Sequence, residues 1–530
     1  MKKRVILAAT AITINAVAAA AQPAVGEVHF ANSGAPAAQP AFLDALAQLH
    51  NFEYDASAAL FRKAQQIDPG FAMAYWGEAM TYTHPVWMQQ DREAARAALA
   101  RLAPSPDERL LKAATEREKD YLRAIDVLYG DGDKKSRDFA FAEAMAALTR
   151  KYPGDVDAAA FHALSLLGTA HDGRDLAIYM RSAAILEPLF TANPNHPGLA
   201  HYLIHSYDDP IHASLGLRAA RAYSKIAPSA GHAQHMCSHI FMAMGMWDEV
   251  VEANQAAMRV VDKARAERGL PPGACGHYNY WLAYGYLQQG RFRDAKRLVA
   301  DCYASALKAQ AQSHDGHSTD PDTSAVGSFA AMRSRYLLDA EDWTGDVASW
   351  RVPRGHGPAD FTIDFVDGFG AVRRGDVDEA IKALDRMKSD AASIIADLDK
   401  QGSSEPTYRG RLRVLEQELA AMIEAARGRR REAADALRGT ASSEDSLPFE
   451  FGPPFVEKPS RELLGELLLS MNDSKGARVQ FEQALTRSPE RTASLVGLMK
   501  AAAATGDSNK AEEIRARLQT IRRRADHPMP

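Results

Sequence analysis

Two short stretches, AHYLIHSYDDP and GHAQHMCSHIFMAMG, place five histidines in close succession: His201, His205, His232, His235 and His239. The pairs His201/His205 and His235/His239 are each four residues apart, a spacing that puts both side chains on one face of a helix. Neutral imidazole is a ligand for Zn, Cu, Fe and Ni, and helical pairs at this spacing are a common chelating arrangement. His201, His205, His235 and His239 are therefore the candidate metal ligands. His232, His277, Tyr280, Asp208 and Asp209 are candidates to line a ligand groove beside them, and Cys237 is a further thiol in reach. No HExxH is present, so the zinc-protease arrangement with a glutamate base is absent. The bland alternative is a buried polar seam, with histidines hydrogen-bonded to Tyr202, Tyr207, Tyr223, Ser206 or Ser238. Both readings stand at this level.

Ligands on different segments act together only if the fold brings the segments side by side. The whole chain reads as helices: alanine is abundant, apolar and charged residues alternate at three- and four-residue steps, and no sustained two-residue alternation occurs. One punctuation recurs, a Gly or Asn followed five residues later by a small residue. It appears as NFEYDA (Asn51 to Ala56), GMWDEV (Gly245 to Val250), GRFRDA (Gly290 to Ala295), GDVDEA (Gly375 to Ala380), GRRREA (Gly428 to Ala433), NDSKGA (Asn472 to Ala477) and GDSNKA (Gly506 to Ala511). The first residue suits a left-handed cap that ends one helix, and the small residue lets the next helix pack closely. Asp208-Asp209-Pro210 followed by Ala213 repeats the pattern.

This is the hairpin signature of tetratricopeptide repeats. It is nearly explicit in FLDALAQLHNFEYDASAALFRKAQQIDPGFAMAYWGEAMTY, with Ala64, Pro69, Ala72, Trp76, Gly77 and Ala79, and in the C-terminal pair whose turns, Asn472 and Gly506, are 34 residues apart. Most other steps are longer, so loops interrupt the array. The chain resembles the tetratricopeptide-repeat superfamily. At AHYLIHSYDDP, HAQHMCSHIFMAMGMWDEVVEAN and KPSRELLGELLL it is similar to large exported bacterial members of unassigned activity. The resemblance implies an all-α fold, a right-handed superhelical array of helical hairpins (an α-solenoid), with a His-rich centre and no assigned reaction. It also implies that Cys237 is not a required ligand, since a proline often follows the methionine of the HM–SHIF element in that group.

The expected organisation is a signal peptide over 1–21, a loose Ala/Pro-rich segment over 22–40, and an N-terminal array over 41–312 with its His-rich centre at 162–277. A polar loop over 313–325, degenerate repeats over 326–440, a Pro/Phe-rich loop over 441–459 and a C-terminal repeat pair over 460–523 complete it. Phe449, Phe451 and Phe455 are expected to anchor the long loop on the array. In register, His232 and His277 each lie thirteen residues before a turn, Gly245 and Gly290; His235 and His162 each lie ten before theirs. First helices of successive repeats stand side by side along the concave face. Ten of the 17 histidines fall between His162 and His277, and at 100° per residue His232, His235 and His239 lie within about 60° of one another. His84 and Trp87 of THPVW are candidates to edge the same groove, while Trp76 and Tyr75 read as core.

The chain has 530 residues, 46% hydrophobic, with a formal charge of −5, an ordinary globular composition. There is no basic patch to read as a nucleic-acid footprint, and no run long enough to span a membrane. MKKRVILAATAITINAVAAAAQ has the basic start, short apolar stretch and small-residue end of a secretory signal. Cleavage near Ala21 would give an exported protein, periplasmic or secreted. The three cysteines (Cys237, Cys275, Cys302) are an odd number, so one at least is unpaired within the chain; small buried residues are the simplest expectation for all of them. The expected function is an exported scaffold binding a protein, peptide or small ligand in its concave groove. The alternatives are a hydrolase or oxidase dependent on Zn, Cu or Fe held by the histidines, or metal storage and delivery.

Overall fold

The structure, a computed structural model, describes residues 24–312, 324–400 and 405–527. The signal-peptide segment and most of the polar loop over 313–325 lie outside the described residues. The described chain is an all-α array of helical hairpins. Twenty-five helices run from Gln39–His50 to Ser508–Ile521, interrupted by one small antiparallel ribbon pairing Thr83 with Gln90 and His84 with Gln89. Helix starts are set by local chemistry. Asp91, Asp133, Asp155, Asp175, Ser324, Asp473 and Asp507 accept backbone N–H bonds as N-caps, and Ser105 and Thr115 close full capping boxes with Glu108 and Glu118.

The turn rule holds with one change of register. Gly245, Gly290, Gly375, Gly428, Gly506 and Asn472 are all left-handed, with φ between 63 and 86°. The small residue five positions later is fully buried at Val250, Ala295, Ala380, Ala433 and Ala477. At the first turn, Phe52 rather than Asn51 is left-handed (φ 57°). The residue packed into the helix interface is accordingly Ser57, at 0% exposure, not Ala56, which is exposed.

Residues 24–38 lie in the segment expected to be loose, and part of it packs on the array. Val28 and Phe30 are buried, and Phe30 packs on Phe42, Trp76 and Tyr121. Trp76 and Tyr75 are core residues, as expected. Cys275 and Cys302 form a disulfide, which replaces the expectation of three separate buried thiols; Cys237 alone is free, and buried. No described helix is long and apolar enough to cross a membrane.

The array closes on itself. The indole N–H of Trp247 donates to the carbonyl of Glu490 (2.9 Å), Thr492 bonds Gln288, and Arg491 reaches Tyr284 (3.1 Å), Asp339 (2.6 Å) and Glu462 (2.9 Å). A tight Gly245 turn makes room for Pro489 and Glu490. The Pro/Phe-rich loop is thereby carried into the groove between the two halves. Buried Arg335 donates to the carbonyls of Pro454 and Glu457, and Arg411 donates to the Phe455 carbonyl and pairs with the Glu457 carboxylate.

Candidate functional site

Three helices of the array supply the histidines. Helix Pro197–Tyr207 carries His201 and His205, helix Gly231–Ala243 carries His232, His235 and His239, and helix His277–Gln288 opens with His277. The first starts where Pro197 sets the helical φ, and the second and third follow directly after their connecting loops. The four histidines expected to hold one ion are divided instead between two triads. Ligand atoms of His201, His205 and His232 all lie within 4.8 Å of one another, and so do those of His235, His239 and His277. His232 and His277, expected to line a groove beside the metal ligands, complete the two sets. In each triad the two residues spaced by four are buried and the third is half-buried.

The hydrogen bonds around the rings decide where their protons sit. His201 Nδ1 donates to the carbonyl of His50 (2.7 Å), leaving Nε2 with a lone pair. His239 Nδ1 donates to the Asp208 carboxylate (2.5 Å). His235 Nδ1 faces Asn254 Oδ1 at 2.7 Å, and the Asn254 amide N–H is used on the Val250 carbonyl (2.8 Å), so Oδ1 accepts and His235 Nδ1 donates. His235 therefore presents a bare Nε2, and it lies 3.0 Å from His239 Nε2. Two ring nitrogens that close need a shared proton or a metal ion between them. His205 Nε2 is buried with no hydrogen-bond partner, and His201 Nε2 is 3.1 Å from His232 Nε2.

Burial, reinforced by the neighbouring imidazoles, holds His201, His205, His232 and His235 well below the ordinary histidine range. These rings are neutral at physiological pH, the state in which imidazole binds a metal. The donor sets are all nitrogen, which suits Cu or Zn better than Mg or Ca. A carboxylate or carbonyl on the far ring nitrogen is the usual support for a metal-binding histidine.

Aromatic rings wall the triads. Phe52 lies against His201 (centroids 4.3 Å), His205 and His232; Trp87 lies near His205 and His232; Trp281 packs on His239 (4.3 Å). Trp87 thus edges the groove as expected, while His84 stacks on Tyr54 at 3.9 Å. From the Pro/Phe-rich loop, Phe451 covers His239 (5.1 Å) and His205 (6.4 Å). Beside His277 a cavity of about 220 Å³ opens between Asp262, Arg265, Tyr278 and Asn279.

Other expected groove residues stand elsewhere. Asp209 pairs with Arg174 (3.0 Å) and His212, and the Tyr280 hydroxyl accepts from Arg335 (3.1 Å). His162 is half-buried with its own neighbours, Arg181 and Glu143. Cys237 donates to the Ala233 carbonyl at 3.4 Å and is in neither triad. Sequence reasoning missed His50, Asp157 and His196, a third buried group. Both imidazoles meet Asp157 Oδ1, at 2.9 and 3.2 Å, and burial presses His50 down to about 4. No local spacing links these three residues.

No protein-family model matches the chain, and no curated protein matches it. Among solved structures the chain is similar to human IFIT1 bound to m7Gppp-AAAA, at 12% identity over 93% of this chain and 91% of that one, with a TM-score of 0.33. It is also similar to yeast Tom70, at 12% identity over 90% of this chain and 99% of that one, with a TM-score of 0.34. A third similar structure is the TPR domain of P58(IPK), at 12% identity over 89% and 99%, with a TM-score of 0.21.

Proposed function

We propose that this chain is an exported helical-repeat protein whose histidine cluster binds a transition metal, zinc or copper, and presents it to a small molecule. The observation that carries the reading is the convergence of His235 Nε2 and His239 Nε2, 3.0 Å apart, each ring backed through Nδ1 by a protein oxygen and His277 beside them. A metal ion accepts both lone pairs at once, and the oxygens on the two Nδ1 atoms are the usual support for imidazole ligands. Tetrahedral ligands about 2.0–2.1 Å from an ion lie a little over 3 Å from each other, close to the spacing here.

The nature of the ligand follows from the space. Phe451 and the loop around it occupy the groove over His205 and His239. The opening beside His277 has the volume of a small molecule rather than a peptide. A half-buried third ligand in each triad leaves a direction from which water or substrate reaches the ion, as in metal-dependent hydrolysis or oxidation. Export is favoured by the N-terminal pattern, and the Cys275–Cys302 bridge suits an oxidising compartment.

The test uses the full chain, purified without a histidine tag. We expect bound Zn or Cu by elemental analysis, and a higher Tm on adding either ion to stripped protein. Asp208→Asn should lower metal affinity by about 10–100-fold, read by chelator competition, with the fold retained. Absence of bound transition metal, together with an unmoved Tm on adding Zn(II) or Cu(II), would sink the reading.

A further inference from the structure

The two triads are copies of one another. His201 and His235 are 34 residues apart, and so are His205 and His239, the period of the C-terminal repeat pair and of the repeat class as a whole. Each pair is completed from the start of the next groove helix: His232 is the second residue of Gly231–Ala243, and His277 is the first of His277–Gln288. One repeat step therefore carries His201, His205 and His232 onto His235, His239 and His277. The longer step between the third ligands reflects the extended helix Trp247–Glu267 and the loop after it.

The same step makes the copies neighbours. Helix Gly231–Ala243 supplies His232 to one triad and His235 and His239 to the other. Across the boundary, ring centroids of His205 and His239 are 5.9 Å apart, and those of His232 and His235 are 6.2 Å apart. Within a triad the corresponding spacings run from 4.6 to 6.4 Å, so the triads abut with no side chain interposed at these two contacts. Each copy has a ring fixed through Nδ1 on a protein oxygen, His50 O in one and Asp208 and Asn254 in the other. Each copy also has one half-buried ligand. His205 Nε2, buried and unpartnered, belongs to the first triad and has no role if only the second is loaded.

Resting on the metal-binding reading, we propose that the cluster is a two-ion centre. One ion is held by His201, His205 and His232 and the other by His235, His239 and His277, close enough for one small molecule or water-derived ligand to touch both. Paired ions of this kind clamp a substrate from two sides. Three neutral imidazoles per ion leave the net charge of the centre positive. The ligand class favoured is therefore a small anion rather than a cation.

The experiment is metal counting on stripped full-length protein with Zn(II) and, separately, Cu(II). His232→Gln and His277→Gln serve as the variants because their half-buried positions keep folding risk low; circular dichroism and Tm check the fold. Two ions per chain are expected in the wild type and one tight ion in each variant. The double variant should retain none. With copper, the electron paramagnetic resonance signal of the one-ion form should broaden or vanish when the second ion is added. A single ion per chain, lost in either variant, would overturn the two-ion centre and leave the metal reading intact. Two ions giving two undisturbed, additive copper signals would overturn their proximity. No ion at all would overturn both readings. If either variant unfolds, the wild-type count and copper signals decide alone.

Discussion

Phe52 stands in a left-handed backbone conformation that a bulky residue adopts at a cost of about 1–2 kcal/mol. Its ring is what holds it there, wedged among His201, His205, His232 and Trp87 at 8% exposure. Strain of this kind gathers where surrounding contacts over-determine a residue, and here it builds an apolar wall against the first triad. Glu450, on the loop that also bears Phe451, is the titratable counterpart. Burial, with help from the Glu405 carboxylate and against the pull of Arg174, pushes its carboxyl up to about 7 from an ordinary 4.5. Between those two values the folded protein keeps a proton that the unfolded chain has lost, so stability falls as pH rises through this window and the loss is complete above about 7. Glu450→Gln should therefore raise stability at pH 8, on the order of 2 kcal/mol, and leave it unchanged at pH 4. Chemical unfolding at the two pH values checks this. An equal gain at both would show that folding does not shift this carboxyl.

At the scale of elements, the helices and turns follow from local chemistry, and the turns are not equivalent in what they touch. Gly245 and Gly428 both close a hairpin in the left-handed region, at φ 68 and 86°. A Cβ at Gly428 meets nothing within 4 Å, whereas one at Gly245 strikes the Glu490 side chain and comes 2.9 Å from the Pro489 carbonyl oxygen. Gly428→Ala is expected to cost about 1 kcal/mol, the backbone term alone. Gly245→Ala should cost a further 1–3 kcal/mol, since the Pro489 backbone cannot yield as a side chain tip would. Equal losses in urea unfolding would show that the C-terminal repeats do not press on this turn. The turn pattern was legible in the sequence to within one residue. The exception, Asn51 against Phe52, could not be read locally because the contacts that overcome the strain come from helices far along the chain.

For the whole molecule, closure of the array rests on Arg491. It is fully buried, bonded to Glu462, Asp339 and Tyr284 across the two halves. Burial alone would raise the Glu462 carboxyl, but Arg491 and Lys458 outweigh it and hold it down at about 2. That contribution is present above pH 4.5 and is lost as pH falls toward 2. Arg491→Leu removes the cation shared by two buried carboxylates, leaving Glu462 to Lys458 and Asp339 to Gln288, and should cost about 3 kcal/mol at neutral pH. It should also release the Pro/Phe-rich loop, seen as faster proteolysis within residues 446–459. Unchanged proteolysis with an unchanged unfolding midpoint would place the closure elsewhere.

The all-α repeat, the positions of most hairpin turns and the helices that carry the histidines were legible along the chain. These are written in short-range signals: helical periodicity, caps and left-handed turns act within a few residues. The four-residue spacing within each histidine pair was present too, and four of the six triad members could be read as candidate ligands from it. The fold brought the histidines into two triads, with His232 and His277 completing them. It also placed the His50 carbonyl, Asp208 and Asn254 on the ring nitrogens and Phe451 over the groove. Those outcomes depend on how far each helix is rotated and on a C-terminal half that folds back across some two hundred residues. They are set by the sum of many weak packing contacts, and no spacing along the chain records that sum.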